Sequence, residues 1–108
     1  MKQQINTQIK KGILDIYILY LIKSNEIIYG YDLIKNMSIY FSDVNESTFY
    51  SILRRLNKKN LTEVIIKKSD NGPVRKYYKI TEEGLKCLEE NIQELKILQS
   101  VINIIINS

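Results

Sequence analysis

From Ile13 to Ile22 nearly every position is apolar: Ile13, Leu14, Ile16, Tyr17, Ile18, Leu19, Tyr20, Leu21 and Ile22. A run this dense leaves no polar face. It predicts a helix from about Thr7 to Ser24 that is buried on more than one side. In so small a chain one side can face the core and another a partner chain. Leu33, Ile34 and Met37 then recur at helical spacing and predict a second helix over about Gly30 to Tyr40. A short polar connection, Phe41 to Asn45, leads to a third helix over about Glu46 to Lys59, which Asn45 or Ser47 is placed to cap. At about 100° per residue, Phe49, Ile52, Leu53 and Leu56 share a narrow arc and face the core. The opposite arc carries Ser47, Ser51, Arg54 and Lys58, with Tyr50 and Arg55 on its flanks.

The period then shortens. Leu61 to Lys68 is rich in β-formers, with Leu61, Val64, Ile65 and Ile66. Asp70-Asn71-Gly72-Pro73 is a turn signal, since Asn-Gly readily supplies positive φ. Val74 to Ile80 alternates, with Val74, Lys76, Tyr78 and Ile80 on one face and Arg75, Tyr77 and Lys79 on the other. The two runs predict a hairpin. Thr81 is a good N-cap, and Glu82 and Glu83 suit the positive end of the helix that follows. Leu85, Leu88, Ile92, Leu95, Leu98, Ile102 and Ile105 continue that helix as a stripe with steps of three and four. Such a helix is about 39 Å long, more than one small domain can cover. The expected fold is mainly α with a small β-hairpin: a winged helix-turn-helix, residues 1–80, followed by a long C-terminal dimerisation helix, residues 81–108.

Charge sharpens this picture. Residues 46–80 hold nine of the sixteen Lys and Arg and three of the twelve acids, a net +6. Residues 1–45 carry +1 and residues 81–108 carry −3. The positive charge is thus confined to the third helix and the hairpin. That combination is a natural surface for a phosphate backbone, although any one lysine can serve solubility alone. The exposed arc of the third helix has no acid after Glu46, whereas an ordinary surface helix mixes its signs. Small hydroxyls near its N-terminal end allow close approach to a groove, and the cations and phenol beyond them suit base edges and phosphates.

Composition removes other classes. At 44% hydrophobic and 26% charged the 108 residues are globular. No uncharged apolar stretch reaches the roughly 20 residues of a membrane span, and Met1 to Asn6 lacks a signal-peptide core. The expectation is a cytoplasmic protein without a membrane. The chain has no His, which excludes imidazole bases, His-containing triads and His-Glu-x-x-His zinc sites. Cys87 is the only cysteine and reads as a packed thiol. Gly12, Gly30, Gly72 and Gly84 are too scattered to cradle a phosphate. No catalytic residue, metal site or cofactor is expected, and the chain is not read as an enzyme.

Three segments carry a resemblance. Tyr29-Gly30-Tyr31-Asp32-Leu33-Ile34 resembles the "YGYEL" opening of the second helix in the PadR family of bacterial transcriptional regulators. Ser47-Thr48-Phe49-Tyr50-Ser51-Ile52-Leu53-Arg54-Arg55-Leu56 is similar to that family's "GTLYPLLKRLE" recognition helix. Lys76-Tyr77-Tyr78-Lys79-Ile80-Thr81-Glu82-Glu83-Gly84 resembles its "RKYYxLTxxG" passage from wing to helix. Ser47 stands at the family's usual Gly, Ser51 at its usual Pro, and Asn60 where Gly commonly ends the recognition helix. Asn tolerates the left-handed conformation nearly as well. These changes bear on the operator sequence rather than the fold.

The resemblance implies a homodimeric repressor of double-stranded DNA, bound at an inverted repeat. Residues and resemblance together give a DNA-contact set. It comprises Tyr29 and Tyr31, then Ser47, Thr48, Tyr50, Ser51, Arg54, Arg55 and Lys58 on the third helix. Lys68, Asn71, Gly72, Arg75, Lys76 and Tyr77 complete it on the wing. It further implies that the last helix packs on the partner's first helix. The short C-terminus is similar to the smaller PadR subfamily, some of whose members hold flat aromatic compounds between paired tryptophans. This chain has no Trp. Tyr17 and Tyr20 are the alternative lining for a small aromatic effector, or else simple interface packing. A competing reading is a winged-helix protein-interaction module whose basic hairpin meets an acidic partner. A ligand sensor with secondary DNA binding is another.

Overall fold

The computed structural model describes residues 12–68 and 70–108. Its elements run α1 (Leu14–Ser24), β1 (Ile28–Tyr29), α2 (Gly30–Tyr40), α3 (Glu46–Lys58), β2 (Thr62–Lys68), β3 (Val74–Ile80) and α4 (Glu82–Ile106). The expected order of helices and hairpin holds. The expected start of the first helix, residues 7–11, lies outside the described residues. Gly12 and Ile13 form a turn, and the described helix begins at Leu14.

The dense apolar run of α1 is buried along one broad face, with Leu14, Ile18, Leu19, Leu21 and Ile22 in the core, while Ile16 and Tyr17 are half-buried and Tyr20 is exposed. Leu33, Ile34 and Met37 of α2 join it, as do Phe49, Ile52, Leu53 and Leu56 of α3. The arc deduced for α3 is therefore its buried face. Asn45 occupies the N-cap position of α3 in extended geometry, but its side chain makes no capping bond; its carbonyl accepts from Thr48 N at 3.0 Å.

The sheet has one strand more than the spacing predicts. β1 pairs antiparallel with β3, in the order β1-β3-β2. Ile28 lies opposite Tyr78 and Tyr29 opposite Tyr77. Two residues give no alternation to read, and the pairing is with a strand far along the chain, so only the tertiary fold creates this strand. Glu26, at φ 59°, turns the chain from α1 into it. On the other edge β2 and β3 pair from Thr62–Ile80 out to Lys68–Val74.

Asn60 takes the left-handed conformation at φ 63°, which ends α3 and releases the chain into β2. Thr81 then closes a junction between the end of α3 and the start of α4. Its amide donates to Leu61 O at 3.1 Å, and its hydroxyl donates to Asn60 O at 2.7 Å. The same hydroxyl accepts from Gly84 N at 2.9 Å, the capping bond expected of it. A Cβ on Gly84 would fall 2.0 Å from Leu61 O, so only glycine permits this approach. From there α4 leaves the core. Leu88 is buried and Ile92 and Leu95 half-buried, but every residue from Lys96 to Ser108 is exposed. No helix among the described residues is long and apolar enough to cross a membrane.

Candidate nucleic-acid interface

With its apolar arc buried, α3 turns Ser47, Thr48, Tyr50, Ser51, Arg54, Arg55 and Lys58 outward. Arg54 Nη2 donates to Ser51 Oγ at 3.0 Å, which lays the guanidinium along the helix. The wing rises beside it. A recess of about 300 Å³ lies between the start of α2, α3 and β3, lined by Tyr29, Gly30, Tyr31, Tyr50, Arg54, Lys76 and Tyr78. The fold thus brings Tyr29, Tyr31, Tyr50, Arg54 and Lys76 together, although they are far apart in the chain. Gly30 is part of this closeness: a Cβ there would meet the Tyr78 ring at 3.1 Å.

Tyr78 sits at the floor of the recess and was not among the contact residues expected from the sequence. Burial pushes its phenol pKa up, the neighbouring Tyr50 phenol adds to this, and Arg54 pulls the other way. Its place under α3 has a sequence signal, since Tyr78 falls on the same face of the alternating strand as Ile80.

Arg55 has a different neighbour. Its Nη1 donates to Asp15 Oδ2 at 2.5 Å and its Nη2 to Asp15 Oδ1 at 3.1 Å. This bidentate pair ties α3 to α1, and the bond to Asp15 holds the guanidinium pKa above its ordinary value. Nothing in the spacing of Asp15 and Arg55, 40 residues apart, signals the pair.

Lys68, Asn71 and Gly72 are exposed along the hairpin toward its tip, well away from the recess. Arg75 and Tyr77 lie on the opposite face of β3 from Lys76 and Tyr78, as the alternation requires. There Tyr77 packs 5.5 Å from Tyr29, centroid to centroid. The Arg75 guanidinium lies 4.9 Å over the Tyr29 ring, and Lys67 Nζ lies 5.3 Å from the Tyr77 ring. Tyr29 thus borders both faces of the wing. Lys35 stands 5.2 Å from the Tyr31 ring and extends the cationic surface onto α2. Its spacing gave no reason to single it out.

The stripe of α4 divides. Leu88, placed on it by spacing, belongs to the chain's own core at 2% exposure, and Ile92 packs against that core. Leu98, Ile102 and Ile105 are exposed, together with Ile97, Val101, Ile104 and Ile106. Leu85 is exposed where α4 begins. Between α1 and α4 runs a wholly apolar groove of about 160 Å³, lined by Ile13, Ile16, Tyr17, Tyr20, Leu88, Ile92 and Leu95. Tyr17 and Tyr20 stack there at 6.1 Å and 11°. Burial, with Tyr40 and Tyr20 nearby, raises the Tyr17 pKa.

Comparison with known proteins agrees with this geometry. The chain is 32% identical over 103 residues to an uncharacterized protein of Lysinibacillus sphaericus, covering 93% of this chain and 94% of that one. A crystal structure of a PadR-like transcriptional regulator from Bacillus cereus superposes with a TM-score of 0.82 at 39% identity, over 94% of this chain and 98% of that one. A transcriptional regulator from Clostridium thermocellum superposes at 0.78 with 31% identity, over 92% and 95%. The model of the transcriptional regulator PadR-like family matches residues 18–90, from the middle of α1 into α4. A basic recognition helix beside a basic wing, on a scaffold that this family shares, leads to one conclusion: the chain belongs to the PadR-like family of transcriptional regulators.

Proposed function

We propose that the chain is a homodimeric repressor that binds an inverted-repeat operator. In this reading α3 enters the major groove, and the wing from Lys68 to Lys76 rides on the adjacent phosphates. The observation that carries it is the outward face of α3, which holds Ser47, Ser51, Arg54 and Lys58 with no acid beyond Glu46, beside Lys76 of the wing. Arg54 is the candidate base reader, since a guanidinium suits the O6 and N7 of guanine. Glu46 either accepts from a cytosine amine or stays in solvent.

Dimerisation is assigned to the outer half of α4. Leu98, Ile102 and Ile105 are exposed there, and an isolated domain leaves them in water at a cost of roughly 25 cal/mol for each Å² of apolar surface. Leu85, Ile92 and Leu95 extend the same stripe toward the domain. Two-fold symmetry then sets two copies of α3 on one side of the duplex, about one helical turn or 10–10.5 base pairs apart, or a multiple of it. The apolar groove holding Tyr17 and Tyr20 is the proposed seat of a small aromatic effector. A ligand wedged there alters the angle of α4 and hence the spacing of the two reading heads.

Selection of bound sequences from a random duplex pool, followed by footprinting, tests the reading. The expected result is two protected half-sites related by a dyad. A single asymmetric site held by one protomer contradicts the symmetric dimer. Failure to enrich any duplex, with retention on an acidic polypeptide, favours the protein-interaction alternative.

A further inference from the structure

The outer face of the wing carries two tyrosines and two cations whose arrangement follows from strand register. Tyr29 lies directly opposite Tyr77, and Lys67 directly opposite Arg75. Tyr77 and Arg75 are two residues apart on β3, so all four side chains belong to one face. Arg75 is therefore the diagonal neighbour of Tyr29. Lys67 lies diagonal to Tyr77 across the β2–β3 pair, because Ile65 is Tyr77's direct partner. The contacts follow these diagonals, with Arg75 at 4.9 Å over Tyr29 and Lys67 at 5.3 Å over Tyr77. The two rings adjoin at 5.5 Å with their planes inclined by 38°, and each lies under one of the cations. Tyr29 is also anchored from behind, as the residue that leads β1 into α2.

We infer that Tyr29 and Tyr77 are positioning residues that hold Arg75 and Lys67 in fixed poses for the phosphates beside the half-site. This deepens the DNA-binding reading and rests on it. A free Arg or Lys gives up much side-chain freedom when it pairs with a phosphate. A cation already lying on a ring has given up part of it in the free protein. A guanidinium that stacks on a ring face keeps its N–H edge free for two phosphate oxygens. The positioning asked of the tyrosines is that of the ring, so phenylalanine keeps the cations in place and leucine does not.

The first arm of the test uses the free protein. Protons of the Arg75 side chain over the Tyr29 ring should show upfield ring-current shifts by NMR. These should persist in Tyr29→Phe and vanish in Tyr29→Leu, while the amide spectrum of the core stays in place. The second arm measures duplex binding. Tyr29→Leu and Tyr77→Leu should each weaken binding roughly two- to five-fold, the range of an exposed cation–π contact. Tyr29→Phe and Tyr77→Phe, which keep the ring, should each lose less than the leucine variant at the same position. In an Arg75→Ala background the further loss from Tyr29→Leu should disappear, because the platform acts through that cation. An undiminished loss in that background overturns the inference, since the ring would then contact DNA itself or support the fold. Unshifted Arg75 protons in the wild-type protein overturn it as well. Wild-type protein that binds no duplex defeats the DNA-binding reading instead, and the NMR arm keeps the two failures apart.

Discussion

Arg54 and Arg55 are neighbours on α3 with different partners. Arg54 faces the recess beside the wing, where it donates to Ser51 Oγ, and is the proposed base reader. Arg54→Ala should cost on the order of 1–3 kcal/mol on the selected operator and relax the preference at one base pair, measured against scrambled duplexes. Equal curves for variant and wild type on that operator refute the proposed face. Arg55 already holds Asp15 with both terminal nitrogens. The pair is solvent-exposed, so Arg55→Ala should lower unfolding stability by no more than about 1 kcal/mol. Asp15→Ala should do the same, and urea titrations of both and of the double variant should show the effects to be non-additive. Additive losses would mean the ion pair contributes nothing. Tyr78 gives a pH signature. Its folded pKa is raised above 10.0 by burial, so the neutral phenol is favoured in the fold and ionises more readily once unfolded. That stabilisation is complete at neutral pH and is lost as pH rises past 10 through the folded pKa. Thermal melts between pH 8 and about 11 should fall less steeply for Tyr78→Phe than for wild type; parallel curves would contradict this.

At the scale of elements, the junction between α3 and α4 decides how the reading head is mounted. Thr81 bonds to Asn60 O, Leu61 O and Gly84 N, so the end of the recognition helix and the start of the long helix are one rigid corner. Gly84→Ala should lower stability by about 1–3 kcal/mol or more, because backbone rather than a flexible side chain stands in the way of its Cβ. An unchanged melting temperature would mean the corner gives way easily. Much of this mounting is legible in the chain. The arc of Phe49, Ile52, Leu53 and Leu56, the alternation through Tyr78, and the cap at Thr81 are local patterns set by geometry alone. β1 is not legible, because its two residues acquire strand character only from pairing with β3. The Asp15–Arg55 pair and the aromatic platform are hidden for the same reason, since each joins residues that periodicity treats separately. Leu88 shows the opposite error. A stripe records which residues avoid water but not whether the cover comes from the same chain or another.

At the scale of the molecule, α4 is half core element and half projecting arm. The division at about Lys96 guides the choice of variants. Substituting Ile92 or Leu95 disturbs the domain itself, whereas Ile102→Glu with Ile105→Glu touches only exposed positions. Sedimentation should show that double variant as a monomer with its circular dichroism retained; a native dimer would place the interface elsewhere. Separating the reading heads should also weaken binding to a two-half-site operator far more than to a single half-site, because linked sites gain from effective concentration. The α3–wing surface is proposed to hold duplex DNA through phosphates and base edges. The most direct test is a salt titration of binding to the selected duplex and to a scrambled one. Log affinity should fall linearly with log salt for both, with a slope of about −0.9 per phosphate contact, and the selected duplex should bind at least roughly 10³-fold tighter. An affinity indifferent to salt, or equal for the two duplexes, would contradict the proposal.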